Sequence, residues 1–412
     1  MNNTKLFIFL LSLIAALMTP RASAYDFMFN NLCYNFNDDG NSVTVTYSEL
    51  WSQHNYYGLT TADIPSTVTN NGITYTVTEI GPYAFEGCNR LADVNISNTV
   101  TKIGHSAFYN CTGLTSITIP STVTEMGNEV FRYCYNLESV SMSNSLSEIS
   151  YATFAGCTSL TEIIIPNSVT TIGNYAFWSC SSLTDVVIPN SVSKIGNSAF
   201  WGCSGLTMVT LGQSVSEIGA DSFRGCSGLC SIDIPEGVSS IGANAFRNCS
   251  GLTSMILPES VSTLGNSAFY GCTGIESLTI PQSLTRIEEK TFYNCIGLEN
   301  IFTRLNPEDV VLGAEVFNNV PTGTCVLHVN YAFLNLFQSS PQWQDFVNIV
   351  GDNPRNPIDV NNDGRVSAVD ITALYNFLLN GDTTYFSTSD LNGDGKVTAV
   401  DITIIYNHML GD

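Results

Sequence analysis

Positive charge is what this 412-residue sequence has least of: 14 Lys and Arg stand against 36 Asp and Glu, a formal net charge of −22. Such a chain repels phosphate backbones and anionic lipid surfaces, which excludes nucleic acid and acidic membranes as partners. Histidine is rarer still. His54, His105, His328 and His408 fall in no H-E-x-x-H or comparable metal-ligating spacing. No G-x-S-x-G elbow occurs and the carboxylates are scattered. The repeated cysteines have no recurring His partner. The chain therefore reads as non-enzymatic. Charged residues of both signs make up only 12% and apolar residues 44%, which permits a large core and argues against disorder. Long apolar runs are missing after the first. "LFIFLLSLIAALM" behind Lys5, with "ASA" ending at Ala24, reads as an export signal over 1–24, the mature chain beginning near Tyr25. That run is short for a membrane span and nothing similar follows it.

What is abundant is repetition. Ten of the 13 cysteines recur at intervals of 23: Cys88, Cys111, Cys134, Cys157, Cys180, Cys203, Cys226, Cys249, Cys272 and Cys295. Each has a Phe three residues before it and a Leu or Ile three residues after. A fixed period of this length is the mark of a solenoid. Within a unit, "LTSITIP" alternates apolar residues and ends in a proline that cannot donate to a ladder, which predicts a short strand with a hard stop. "STVTEMG" turns back and places Val123 and Met126 inward. "AF..C..L" spaces its apolar residues by three, which predicts a helical or 3₁₀ turn facing the core. Ten stacked turns at about 4.8 Å each predict a rod of roughly 48 Å. "VTVTYSE" and "ITYTVTEIG" read as strands of a front cap. Phe317, Val320, "TCVLHV" and a helically spaced Trp343, Phe346 and Ile349 read as the rear lid. Cysteine repeated at one place in every turn predicts a column of buried free thiols, because pairing adjacent turns would break their equivalence.

The pattern "IP..V..IG..AF..C..L", from about Ile64 to Gly351, resembles the BspA-type leucine-rich repeats of bacterial surface proteins. That resemblance implies an α/β-type leucine-rich repeat solenoid of short parallel strands and helical or 3₁₀ turns. We expect an N-terminal cap over 25–75, repeats over 76–303, a C-terminal cap over 304–351, a linker over 352–357 and a separate module over 358–412.

Function must then lie in outward positions. The residue after each repeated Phe varies most, and three of the nine Arg and two of the four Trp fall there. Trp178, Trp201, Arg224 and Arg247 are candidates for a ligand-facing ridge, since Trp and Arg anchor interfaces and flat rings stack on sugars. The same side chains can equally shield the turn beneath them. On the strand face the outward residues are mostly small and polar, interrupted by Ile164 and Val187 side by side.

The C-terminal module is different in kind. From Asp359 it holds eight Asp, no Glu and two basic residues. "DVNNDGRVSAVDITALYNFLL" from Asp359 and "DLNGDGKVTAVDITIIYNHML" from Asp390 match at 13 of 21 positions. Each supplies oxygens with calcium-loop spacing and a Gly (Gly364, Gly395) at the sharp turn. The first set is Asp359, Asn361, Asp363, the carbonyl of Arg365, Ser367 and Asp370. The second is Asp390, Asn392, Asp394, the carbonyl of Lys396, Thr398 and Asp401. Hard oxygens in this pattern suit Ca²⁺ over Mg²⁺, so two ions are expected. A helix follows each loop, with Ile371, Leu374 and Leu378, then Ile402, Ile405 and Met409, on one face. A unit this small should need its metal to fold.

Two loop–helix units without entering helices, each with Asp at position 12, resemble a type I dockerin from about Ile358 to Leu410. The resemblance implies a small all-α, EF-hand-like calcium-binding domain that binds a cohesin and so plugs a secreted protein into a scaffold such as a cellulosome, in a polysaccharide-degradation setting. It places partner choice at Ala368, Val369, Tyr375 and Asn376 and at Ala399, Val400, Tyr406 and Asn407. These differ from the hydroxyl and basic residues common in cellulosomal dockerins and favour an apolar, aromatic contact, unless Val369 and Val400 pack internally. The resulting expectation is a secreted binding protein whose solenoid recognises a protein or a glycan. The alternatives are a cell-surface adhesin for host proteins and an accessory subunit of a glycoside hydrolase system.

Overall fold

The computed structural model describes residues 25–47, 56, 58–352, 371, 372, 374, 398 and 401–405. The expected export signal lies outside them. The described residues from 58 to 352 form a solenoid with two parallel sheets running along its axis, with 25–47 and 56 at its front. One is built from the "EIG" pairs: eight two-residue strands, from Glu148–Ile149 to Val311–Leu312, stack in unbroken order. The other comes from the "LTSITIP" segments. Alternation turns Ile117 and Ile119 inward and Thr118 outward, as the period of two requires. Registers repeat coil on coil, Val186 opposite Val209 and Ile117 opposite Val140. This second sheet is sectioned. Ser139–Ser141 pairs with the preceding coil, while the next coil joins its successor only through a bridge from Glu162 to Asp185.

The third side differs from the expected helical turn in a specific way. Bonds of the 3₁₀ kind are present: Cys88 N–H donates to Phe85 O and Leu91 N–H to Cys88 O, each at 3.1 Å. Two residues per coil interrupt them with positive φ, however, as Tyr83 (+59°) and Gly87 (+71°) do in the first coil. A positive φ at the third position of a four-residue turn is the type II geometry, which cannot propagate as a helix. The amides thus freed pair with the next coil instead, Phe85 N–H to Ala107 O at 2.7 Å and Gly87 N–H to Tyr109 O at 2.8 Å. Backbone groups that a helix would use internally therefore join the coils to each other.

The core is a ladder of repeated phenylalanines. Eleven rings, from Phe85 to Phe317, stack with centroids 5.0–5.8 Å apart and near-parallel planes. The thiol column lies beside it. Each Cys Sγ–H from Cys111 to Cys295 donates to the carbonyl of the Phe in the preceding coil, as Cys180 does to Phe154 at 3.2 Å. All thirteen cysteines are free, and Cys230 alone is exposed. A residue of alanine size that still carries a donor suits this position, which explains cysteine better than apolarity alone.

Both ends of the ladder are covered. At the front, Tyr56 packs on Phe85 at 5.4 Å, its hydroxyl accepting from Cys33 N–H and donating to Thr46 O. At the rear, Trp343 and Phe346 meet Phe317 at 4.9 and 5.3 Å. The rear lid is not one helix as its spacing predicts. A single helical turn, Leu334–Phe337, a 3₁₀ turn, Trp343–Asp345, and a strand, Asn348–Asp352, share the work, with Ile349 in the strand opposite Leu327. Pro341 and Gln342, at φ +65°, make a continuous helix impossible. The Gln342 side chain then stands in for a further coil, accepting from Val316 N–H and donating to Gly313 O.

Candidate binding surfaces and calcium loops

Four residues of the proposed ridge, Trp178, Trp201, Arg224 and Arg247, stand half-buried in one column along the turn side. The arginines are engaged within it. The Arg224 guanidinium lies 4.7 Å from the Trp201 ring centroid and 3.0 Å from the Asp221 carboxylate. Arg247 lies 4.3 Å from the Tyr270 ring and donates to Asn244 Oδ1 at 3.3 Å. The guanidinium groups thus cover one face of the Trp201 and Tyr270 rings as cation–π pairs within the column. His105, half-buried, sits 3.8 Å from Glu129 and edge-on to Tyr83.

The strand face carries more apolar exposure than the side-by-side Ile164 and Val187. Met208 and Ile256 are exposed on it as well. Both occupy outward columns already visible in the repeat, Met208 beside Asp185 and Ile256 two coils beyond Thr210, so aligning every coil finds them. Burial pushes the core thiols up, Cys134, Cys203, Cys249 and Cys295 to about 12, so they are neither nucleophiles nor metal ligands at neutral pH.

Of the twelve expected calcium ligands, the structure describes two, Thr398 and Asp401, at positions 9 and 12 of the second loop. It brings them together. Asp401 is fully buried, and its Oδ2 accepts from the Thr398 N–H at 2.7 Å and hydroxyl at 3.3 Å. The Asp401 N–H donates back to Thr398 O at 3.1 Å. The spacing is that of a capping box, so the last loop ligand also starts the helix at 401–405. Hard oxygen donors of this kind fit Ca²⁺. The other ten ligands lie outside the described residues, as do Ala368, Val369, Tyr375, Asn376, Ala399, Val400, Tyr406 and Asn407. Leu374 and Ile405, at the same position in the two copies, are buried.

The coils, the stacked core and the sheets define a leucine-rich repeat solenoid, and the twin acidic loops define a second, separate module. The profile of the BspA type leucine rich repeat region matches in six copies over residues 59–184 and 170–299, more than half of the chain, and the chain belongs to that family. The dockerin type I domain matches residues 357–410. Domains of that type bind Ca²⁺ and cohesins. Among solved structures, a leucine-rich repeat protein from Bacteroides ovatus is 26% identical, covering 68% of this chain and 94% of its own, with a TM-score of 0.35. A leucine rich cell surface protein from Faecalibacterium prausnitzii is 25% identical over 78% of this chain and 97% of its own, with a TM-score of 0.42. The T. pallidum leucine rich repeat protein is 28% identical over 55% and 90%, with a TM-score of 0.40. No curated protein matches. Among the described residues no helix is long and apolar enough to cross a membrane.

Proposed function

We propose that this is a secreted, non-catalytic binding protein. Its solenoid recognises a protein or glycan, and its C-terminal domain attaches it, with two Ca²⁺ bound, to a cohesin-bearing scaffold of a polysaccharide-degrading, cellulosome-like complex. The observation that carries this reading is the dockerin type I domain at 357–410 on the same chain as the repeats. The first ion takes Asp359, Asn361, Asp363, the carbonyl of Arg365, Ser367 and Asp370. The second takes Asp390, Asn392, Asp394, the carbonyl of Lys396, Thr398 and Asp401. The two copies repeat the same four partner residues, Ala368, Val369, Tyr375 and Asn376 matching Ala399, Val400, Tyr406 and Asn407. Either helix therefore docks, in two orientations related by about half a turn. Trp178 and Trp201 offer the solenoid's stacking surface, with Arg224 and Arg247 flanking them.

The test is capture from the producing organism's secreted fraction with calcium and with EDTA. A cohesin-bearing partner retained only with calcium supports the reading; the same proteins retained in both conditions overturn it.

A further inference from the structure

The strand face has a composition of its own. Over its ten strand segments, from Leu91–Ile96 to Leu298–Thr303, there is no Lys, Arg or His. Seven exposed carboxylates lie on them: Asp93, Glu138, Glu162, Asp185, Asp233, Glu276 and Glu299. None is in an ion pair among the described residues. Elsewhere on the solenoid charges are mixed, as in the neighbouring sheet, where Lys102 meets Glu125 at 3.6 Å. Unpaired like charges, two of them neighbours in Glu162 and Asp185 and two more in Glu276 and Glu299, cost stability and have no structural use on a face that small polar residues cover elsewhere.

Among these carboxylates stand four apolar side chains with most of their surface in water: Ile164 at 82%, Ile256 at 70%, Val187 at 61% and Met208 at 51%. They form two spots. Ile164 and Val187 occupy one outward column in adjacent coils, with Met208 diagonal to Val187 across the Asp185–Met208 pair. Ile256 lies three coils beyond Val187 in that column, with Thr210 and Asp233 between. Three coil spacings put the two spots about 14 Å apart. An apolar patch inside a polar rim is the usual mark of an interaction site, and the rim here has one sign.

We infer that the strand face docks a cationic amphipathic segment of a partner protein: two apolar side chains about 14 Å apart, seated at Ile164/Val187/Met208 and at Ile256, with Lys or Arg between them on Asp233. An acidic, polar or lipid partner gains nothing from this face. The surface is separate from the Trp178/Trp201 column. It adds a partner class to the proposed recognition role without depending on that column.

A random-peptide phage library panned on the full calcium-loaded chain tests it. The expected consensus is apolar–basic–apolar, and binding of the enriched peptides should fall at least tenfold on the combined variant Ile164→Ser, Val187→Ser, Met208→Ser, whose changes are all exposed. Asp233→Lys should reverse the preference for the central basic residue. Cys230, which precedes the strand paired with Met208 and is the only exposed cysteine, takes a fluorescent maleimide selectively, and peptide binding should shift its emission. Failure to enrich, an acidic or uncharged consensus, or equal binding to the triple variant overturns the inference. Trp178→Ala with Trp201→Ala should leave these peptides bound, so failure of the ridge and failure of this face read out separately.

Discussion

The solenoid and the C-terminal domain meet the same need, burying a repeated unit too small to fold alone, by opposite means. In the solenoid each coil covers the last: Phe on Phe, S–H on carbonyl, amide on carbonyl, with Tyr56 and Trp343 closing the ends. In the C-terminal domain the buried group at a loop end is Asp401, a carboxylate bonded to Thr398, in a segment that matches the dockerin type I domain, a Ca²⁺-binding type. The first arrangement rests on its neutral thiols and stacked rings; the stability we propose for the second rests on its metal supply.

The sharpest way to break the comparison is alkali. Burial raises every thiol of the column above its ordinary 9.0, Cys134 and Cys203 to about 12. Their folded values are raised, so their stability is intact below pH 9 and is lost as pH rises from 9 towards 12, where the unfolded chain has shed protons that the folded chain still holds. A thiol that stays protonated in the folded chain while the unfolded chain has lost its proton costs stability about 1.4 kcal/mol per pH unit, and the column is raised as a whole, so this is the largest effect expected here. Circular dichroism against pH should show the solenoid unfolding cooperatively between 9 and 12. A flat profile to pH 12 would mean that the column is not protonated and buried. Calcium removal is next and strikes the other region. EDTA at neutral pH should abolish cohesin binding and the helical signal of 358–412, while the melting of the solenoid stays put. Loss of both regions together would show that the two are not separate.

The parts of this design that repeat were readable in the chain. A 23-residue interval with Phe, Cys and Leu in fixed places admits one stacking arrangement, and the twin loops with Asp at position 12 point to the dockerin type I domain that matches residues 357–410. What was not readable was conformation that residue type does not mark. Tyr83, Glu129 and Lys290 adopt the left-handed region with no glycine to announce it, because inter-coil hydrogen bonds impose it. A spacing of three fits such turns as well as a helix. Met208 and Ile256 were missed for another reason: each strand alternates correctly by itself, and only the comparison of coils shows them to be out of keeping with their columns.

Point substitutions sharpen the contrast on a smaller scale. Phe177 stacks on Phe154 at 5.4 Å and on Phe200 at 5.0 Å with no exposure. Phe177→Ala should cost about 3–5 kcal/mol in the solenoid transition and leave calcium binding unchanged. Cys180→Ala, in the same coil, removes a single weak donor whose acceptor, Phe154 O, still receives the Cys157 N–H at 3.0 Å. Because the carbonyl stays satisfied, the loss should be about 1 kcal/mol or less, and it should shrink further above pH 9, where the wild-type thiol itself becomes a liability. Measured by urea denaturation at pH 7 and pH 10, a Cys180→Ala cost that stays constant or grows with pH would refute the role given to the thiol column.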